Sequence, residues 1–107
     1  MGHYDREGRP ISFEEWGRLF EDREYQRVAR WERNGILVST VWLGIDHAFG
    51  AGPPVIFETM VFGPHGMSDE LDQVRYCTEA EARAGHDVVV ARVAAGRPPW
   101  PEEGADP

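Results

Sequence analysis

Asp46, His47, Glu58 and His65 carry the atoms in the central region that could bind a metal or move a proton. A carboxylate beside an imidazole can hold a divalent ion or activate a water, so Asp46, His47 and Glu58 would suit a small metal-dependent hydrolase or nuclease. Their spacing works against one shared site within a chain. Residues 55–62 read as a strand rising about 3.3 Å per residue, which sets the Asp46-His47 loop and the His65 loop about 25 Å apart, with Glu58 about 10 Å along the strand. No Cys and His spacing of the zinc type occurs, so no metal and no cofactor is expected.

The nucleophiles are equally poor. Cys77 precedes a helix start, where the dipole favours a thiolate, but a small thiol at a strand end is ordinary core filling. No G-x-S-x-G elbow is present. All 11 basic residues are arginine, which removes any Schiff-base or P-loop lysine. His86 falls on the packing stripe of the last helix and reads as a buried, hydrogen-bonded histidine. The loop Gly50-Ala51-Gly52 exposes backbone N–H groups to an anion, a weak signal taken alone.

The elements that must position these residues are legible. Over residues 11–23, Ser12 and Glu15 form a capping box, Ile11 and Trp16 a hydrophobic staple, and Phe13, Trp16, Leu19 and Phe20 an apolar helical face. Asn34-Gly35 predicts a type I′ turn joining a strand over residues 25–33 to one over 36–43. Strands over residues 55–62 and 73–77 follow. Residues 36–43 and 55–62 are apolar on both faces and belong in the middle of the sheet. Thr78 and Glu81 cap a final helix to residue 95, with Ala82, His86, Val89 and Val93 on one stripe. The fold class is therefore α+β, a small antiparallel sheet of three to four strands flanked by an N-terminal and a C-terminal helix. Residues 1–10 form a polar N-terminal segment, 11–95 the domain, and 96–107 a Pro-rich acidic mobile tail.

A two-residue turn pairs Arg33 with Ile36, Trp31 with Val38, Ala29 with Thr40 and Arg27 with Trp42. Closing the next loop between Leu43 and Val55 pairs Trp42 with Ile56 and Thr40 with Glu58. One face is then aliphatic, including Val28, Leu37, Val41, Phe57 and Val61, and forms the core. The other carries Arg27, Trp31, Val38, Trp42, Glu58 and Met60. Two readings of this second face stand: Arg27 neutralises Glu58 beneath the last helix, or the face stays open for a ligand or a second protomer. The expected binding residues are Arg27, Trp31, Trp42, Asp46, His47 and Glu58. Asp46 is expected to shape its turn through side-chain to backbone hydrogen bonds.

The 107 residues and their net charge of −8 bound the rest. This is one domain with one core, too acidic for direct nucleic-acid binding through a basic stripe. The lone Cys77 excludes an internal disulfide and suits a reducing cytoplasm. No apolar run reaches the roughly 20 residues that span a bilayer, and MGHYDREGRP lacks the apolar stretch of a signal peptide. A cytoplasmic location is expected.

The run VSTVWLGIDHAFGAGPPVIFETMVFG, with SFEEWGRLFEDREYQRVA before it and YCTEAEARAGHDVVVARV after it, resembles small uncharacterised proteins of actinobacterial phages and prophages. The likeness covers about residues 4–95 and brings no catalytic residues with it. It implies a phage context, in which small accessory proteins often act by binding. Joined to the readings above, the expectation is a small cytoplasmic binding protein, homo-oligomeric through the mixed aromatic face, that acts on a host protein or sequesters a small anionic or nucleotide defence signal. The alternatives are the hydrolase or nuclease at Asp46, His47 and Glu58, and a structural or accessory protein of the virion.

Overall fold

In the computed structural model, residues 2–47, 52–64 and 66–99 are described, with side chains over 2–47, 52–64 and 73–99. The Ser12 hydroxyl accepts from Glu15 N at 3.1 Å and opens α1 (Phe13–Phe20), while the Glu15 carboxylate pairs with Arg18 one turn on. The single helix expected over residues 11–23 stops early. Asp22 recaps the chain, its side chain accepting from Glu24 N and Tyr25 N, and starts a four-residue helix, α2 (Arg23–Gln26).

Four strands follow: β1 (Arg27–Arg33), β2 (Ile36–Trp42), β3 (Phe57–Gly63) and β4 (Gly66–Tyr76). All neighbours are antiparallel and the order is β1-β2-β3-β4, so β2 and β3 lie centrally as their two apolar faces require. Asn34 (φ 53) and Gly35 (φ 81) make the expected left-handed pair at the β1–β2 turn. The last helix, α3 (Glu79–Ala94), begins with the full Thr78–Glu81 capping box and lies across all four strands. The fold is thus α+β, a four-stranded antiparallel sheet with short N-terminal helices and a C-terminal helix packed against it. No helix among the described residues is long and apolar enough to cross a membrane.

The polar segment 2–10 is fastened to the domain. Tyr4 N donates to Gly44 O at 2.8 Å, and the Arg6 guanidinium reaches Glu79 at 2.7 Å, holding that carboxyl below its usual pKa. Gly44 sits at φ 77, a left-handed conformation, with Trp16 and Trp42 packed so closely over it that a Cβ has no room.

Register decides which side chains become core. Between β1 and β2 the pairs Arg33–Ile36, Trp31–Val38 and Ala29–Thr40 form as the turn dictates. A β-bulge at Val28 then pairs Arg27 with Val41 instead of Trp42. Between β2 and β3 the expected register is wrong by one residue: Trp42 pairs with Phe57, Thr40 with Thr59 and Val41 with Glu58. Because side chains alternate, that slip exchanges the faces of β2: Phe57 and Val61 of β3 face the core as expected, but Val38 and Trp42 join them there in place of Leu37 and Val41. The covered face consists of Val38, Thr40 and Trp42 from β2 with Phe57, Thr59 and Val61 from β3, all fully buried.

Two apolar clusters lie under the helices. Val28, Trp42, Ile56, Phe57 and Ala82 form one, closed by Trp16, Leu19 and Phe20 of α1 and by Tyr25; Val38, Val61 and Val89 form the other, with Trp31 and Val93 beside them. Between them runs a polar row. His86 Nδ1 meets Thr40 Oγ1 at 2.8 Å, Thr40 Oγ1 meets Thr59 Oγ1 at 2.5 Å, and the Tyr76 hydroxyl donates to Thr59 at 3.2 Å.

Candidate functional site

Among the described residues, the face opposite α3 meets a helix only over β1 and β2, where α2 brings Arg23 and Gln26. Its side chains form rows across the strands: Arg27, Val41, Glu58 and Arg75; then Arg30, Ser39, Met60 and Gln73; then Glu32, Leu37 and Phe62. Glu58, though only 6% exposed, is paired on this face with Arg75, whose Nε donates to Oε2 at 3.0 Å. With its amide nitrogen turned inward, Gln73 donates to the same oxygen at 3.1 Å. The expected partner Arg27 stands two strands away, about 9.5 Å at normal strand spacing, with Val41 between.

Arg27 faces a cavity instead. Arg23 and Gln26 from α2, Arg27 and Arg30 from β1, and Ser39 and Val41 from β2 line a volume of about 490 Å³. The bulge at Val28 makes this possible. Without it, strand alternation would send Arg27 to the core side with Ala29; with it, Val28 and Ala29 both pack inward and Arg27 emerges beside Arg30. No carboxylate lines the cavity, and neither Arg23 nor Arg27 has an ion-pair or hydrogen-bond partner for its guanidinium among the described residues. Arg30 has only a contact of 3.8 Å with Glu32, both about half exposed.

The other sequence candidates separate. Trp42 is fully buried under the helices, its indole N–H donating to Tyr4 O at 3.1 Å, and so lies on the covered face rather than beside Arg27 and Glu58. Trp31 is also on the covered face, packed beside the Val38 cluster with the Arg33 guanidinium 5.2 Å from its ring. Asp46 shapes its loop as expected: its Oδ1 accepts from Val55 N at 2.9 Å. His47 is exposed, its backbone N–H donating to Val55 O. His65, residues 48–51 and the tail from Trp100 lie outside the described residues.

Thus Asp46 and Glu58 serve different partners, and no three His, Cys, Asp or Glu side chains gather to hold a metal among the described residues. Cys77 lies by a second cavity of about 410 Å³ with Arg6, Pro53, Pro54 and Glu79, but Arg6 is taken up by Glu79 there. Burial, Glu81 and Asp46 all push the Cys77 thiol up in pKa, opposite to what a nucleophile needs.

Sequence reasoning found Arg27 and missed Arg23, Arg30, Gln26 and Ser39. The signal was in REYQRVAR, whose arginines recur at intervals of four and three. Such spacing reads as one helix face, whereas the chain passes from helix to strand within it. Scans of protein-family models, curated proteins and solved structures find no match to this chain.

Asp46→Ala should separate the loop from the arginine cavity. It removes the Val55 N–H acceptor and is expected to cost about 1 kcal/mol in denaturant unfolding, while anion binding at Arg27 stays within about twofold. A larger loss of binding would tie the loop to the site.

Proposed function

We propose that the protein is a non-enzymatic binding protein that takes a small anionic ligand on the open sheet face, in the cavity of Arg23, Arg27 and Arg30. The observation that carries this reading is the bulge at Val28, which turns Arg27 out of the core and into a cavity that no carboxylate lines among the described residues. Leaving guanidiniums together without acids costs mutual repulsion, and an anion relieves it. The resemblance to phage proteins would set this ligand in an infected cell, where a host nucleotide signal has the required charge.

The same face offers Leu37, Met60 and Phe62, partly exposed and away from α2. A second copy packing on this apolar end would make the protein a homodimer with the cavity left at the rim. Native mass spectrometry of protein isolated from cells tests both points. The expected spectrum is a dimer retaining a small anion, with the anion absent from Arg27→Ala and the dimer absent from Phe62→Asp. An anion retained equally by Arg27→Ala would refute the cavity as the site, and a wild-type monomer would refute the dimer.

A further inference from the structure

Resting on the cavity as an anion site, we infer that its ligand is a phosphorylated small molecule carrying at least two negative charges, gripped jointly by Arg23, Arg27 and Arg30. The number of guanidiniums points to this class. One guanidinium fork saturates a carboxylate, which has two oxygens and a single charge. Three forks around one cavity call for more acceptor oxygens and more charge, which a phosphate monoester supplies with three oxygens and about −1.5 to −2.

Internal neutralisation is already spent elsewhere. Glu58, the acid in Arg27's own row, is held by Arg75 and Gln73, and Glu32 reaches Arg30 only at 3.8 Å. The arginines also approach from two directions, Arg23 from a helical turn and Arg27 and Arg30 from a strand, which suits a tetrahedral group better than a planar one.

Size adds an organic part. About 490 Å³ exceeds what one phosphate fills and falls within the roughly 300–1,000 Å³ usual for small-molecule sites. The Ser39 hydroxyl and the Gln26 amide can hydrogen-bond a sugar or a base, and Val41 offers an apolar contact. A nucleic-acid strand fits less well, because a chain of net charge −8 repels a long polyanion beyond the cavity while accepting a short one inside it.

Isothermal titration calorimetry of the intact protein in a low-salt, phosphate-free buffer distinguishes the outcomes, with pyrophosphate, adenosine monophosphate, adenosine and citrate as probes. Pyrophosphate and the monophosphate are expected to bind, adenosine not to bind, and citrate to bind about 10-fold more weakly or less. Arg27→Gln and Arg30→Gln should each weaken pyrophosphate binding about 10-fold or more, while the unliganded variants unfold at the same or a higher denaturant concentration because repulsion is relieved. Citrate binding as tightly as pyrophosphate would overturn the phosphate class and leave the anion site standing. Absence of heat with every anion would overturn both. Phosphate binding unchanged in the two variants would place it away from this cavity and overturn the inference.

Discussion

Trp42→Ala is expected to lose several kcal/mol of the protein's folding stability rather than a binding contact. Trp42 is fully buried, packs edge-on against Tyr25 with ring centroids 4.9 Å apart, and lies near Phe20 at 6.3 Å. Its indole N–H holds the Tyr4 carbonyl and so ties segment 2–10 to the sheet. Truncating such a side chain costs about 3–5 kcal/mol, and the abandoned carbonyl adds to that. A domain of this size commonly has about 5–15 kcal/mol in total. Guanidinium denaturation followed by circular dichroism measures the loss, with Arg27→Ala as the contrast, expected to stay within about 0.5 kcal/mol of the parent. A Trp42→Ala shift below about 1 kcal/mol would mean that the aromatic cluster is not the keystone of this end of the core.

Much of the fold was legible because local chemistry specified it. Ser12 and Thr78 as caps, Asn34-Gly35 as the turn, and the doubly apolar runs as central strands all act over a few residues, and all appear as expected. Asp22 was the unread signal. A cap within a helical pattern restarted the helix and moved the start of β1 from Tyr25 to Arg27.

The faces of the sheet were not legible, for a reason of parity. The loop between β2 and β3 is long, and no turn residue pins its closing pair as Asn34-Gly35 does. A one-residue difference there exchanged Leu37 and Val41 with Val38 and Trp42 as the residues facing the core, and the bulge at Val28 independently parted Arg27 from Ala29 and Trp31. Apolar content could not correct the error, since Leu37 and Val41 look as fit for a core as Val38 and Trp42. What resolves the ambiguity is tertiary: His86 of α3 needs Thr40, and Trp42 must meet α1. The Arg27 and Glu58 pair, attractive on paper, was therefore replaced by Glu58 with Arg75 on the neighbouring strand, and that replacement leaves Arg27 free for the cavity.

Stability should fall as the solution is acidified through the titration of His86, and His86→Leu should remove that dependence. Burial pushes the imidazole below its ordinary value of 6.5; Asp87 pulls it up, and Arg83 pushes it further down. In the unfolded chain the ring protonates near its ordinary value, so at lower pH the unfolded state binds the proton first. The stabilisation is thus complete above about pH 6.5 and lost as pH falls towards the folded value, with a limiting slope of about 1.4 kcal/mol per pH unit. Glu79, whose pKa is lowered by Arg6 and Arg83, contributes through the same logic at more acid pH, below its ordinary 4.5. Denaturant midpoints between about pH 5 and 6.5 therefore lie above the Glu79 range, and comparison with His86→Leu isolates His86 from the other histidines. His86→Leu keeps the volume, leaves Thr40 bonded to Thr59, and is expected to cost about 1–3 kcal/mol at pH 8 from the lost hydrogen bond. Its midpoint should then vary less between pH 8 and pH 5 than that of the parent. An undiminished acid slope in the variant would assign the dependence to another group and leave His86 with a packing role alone.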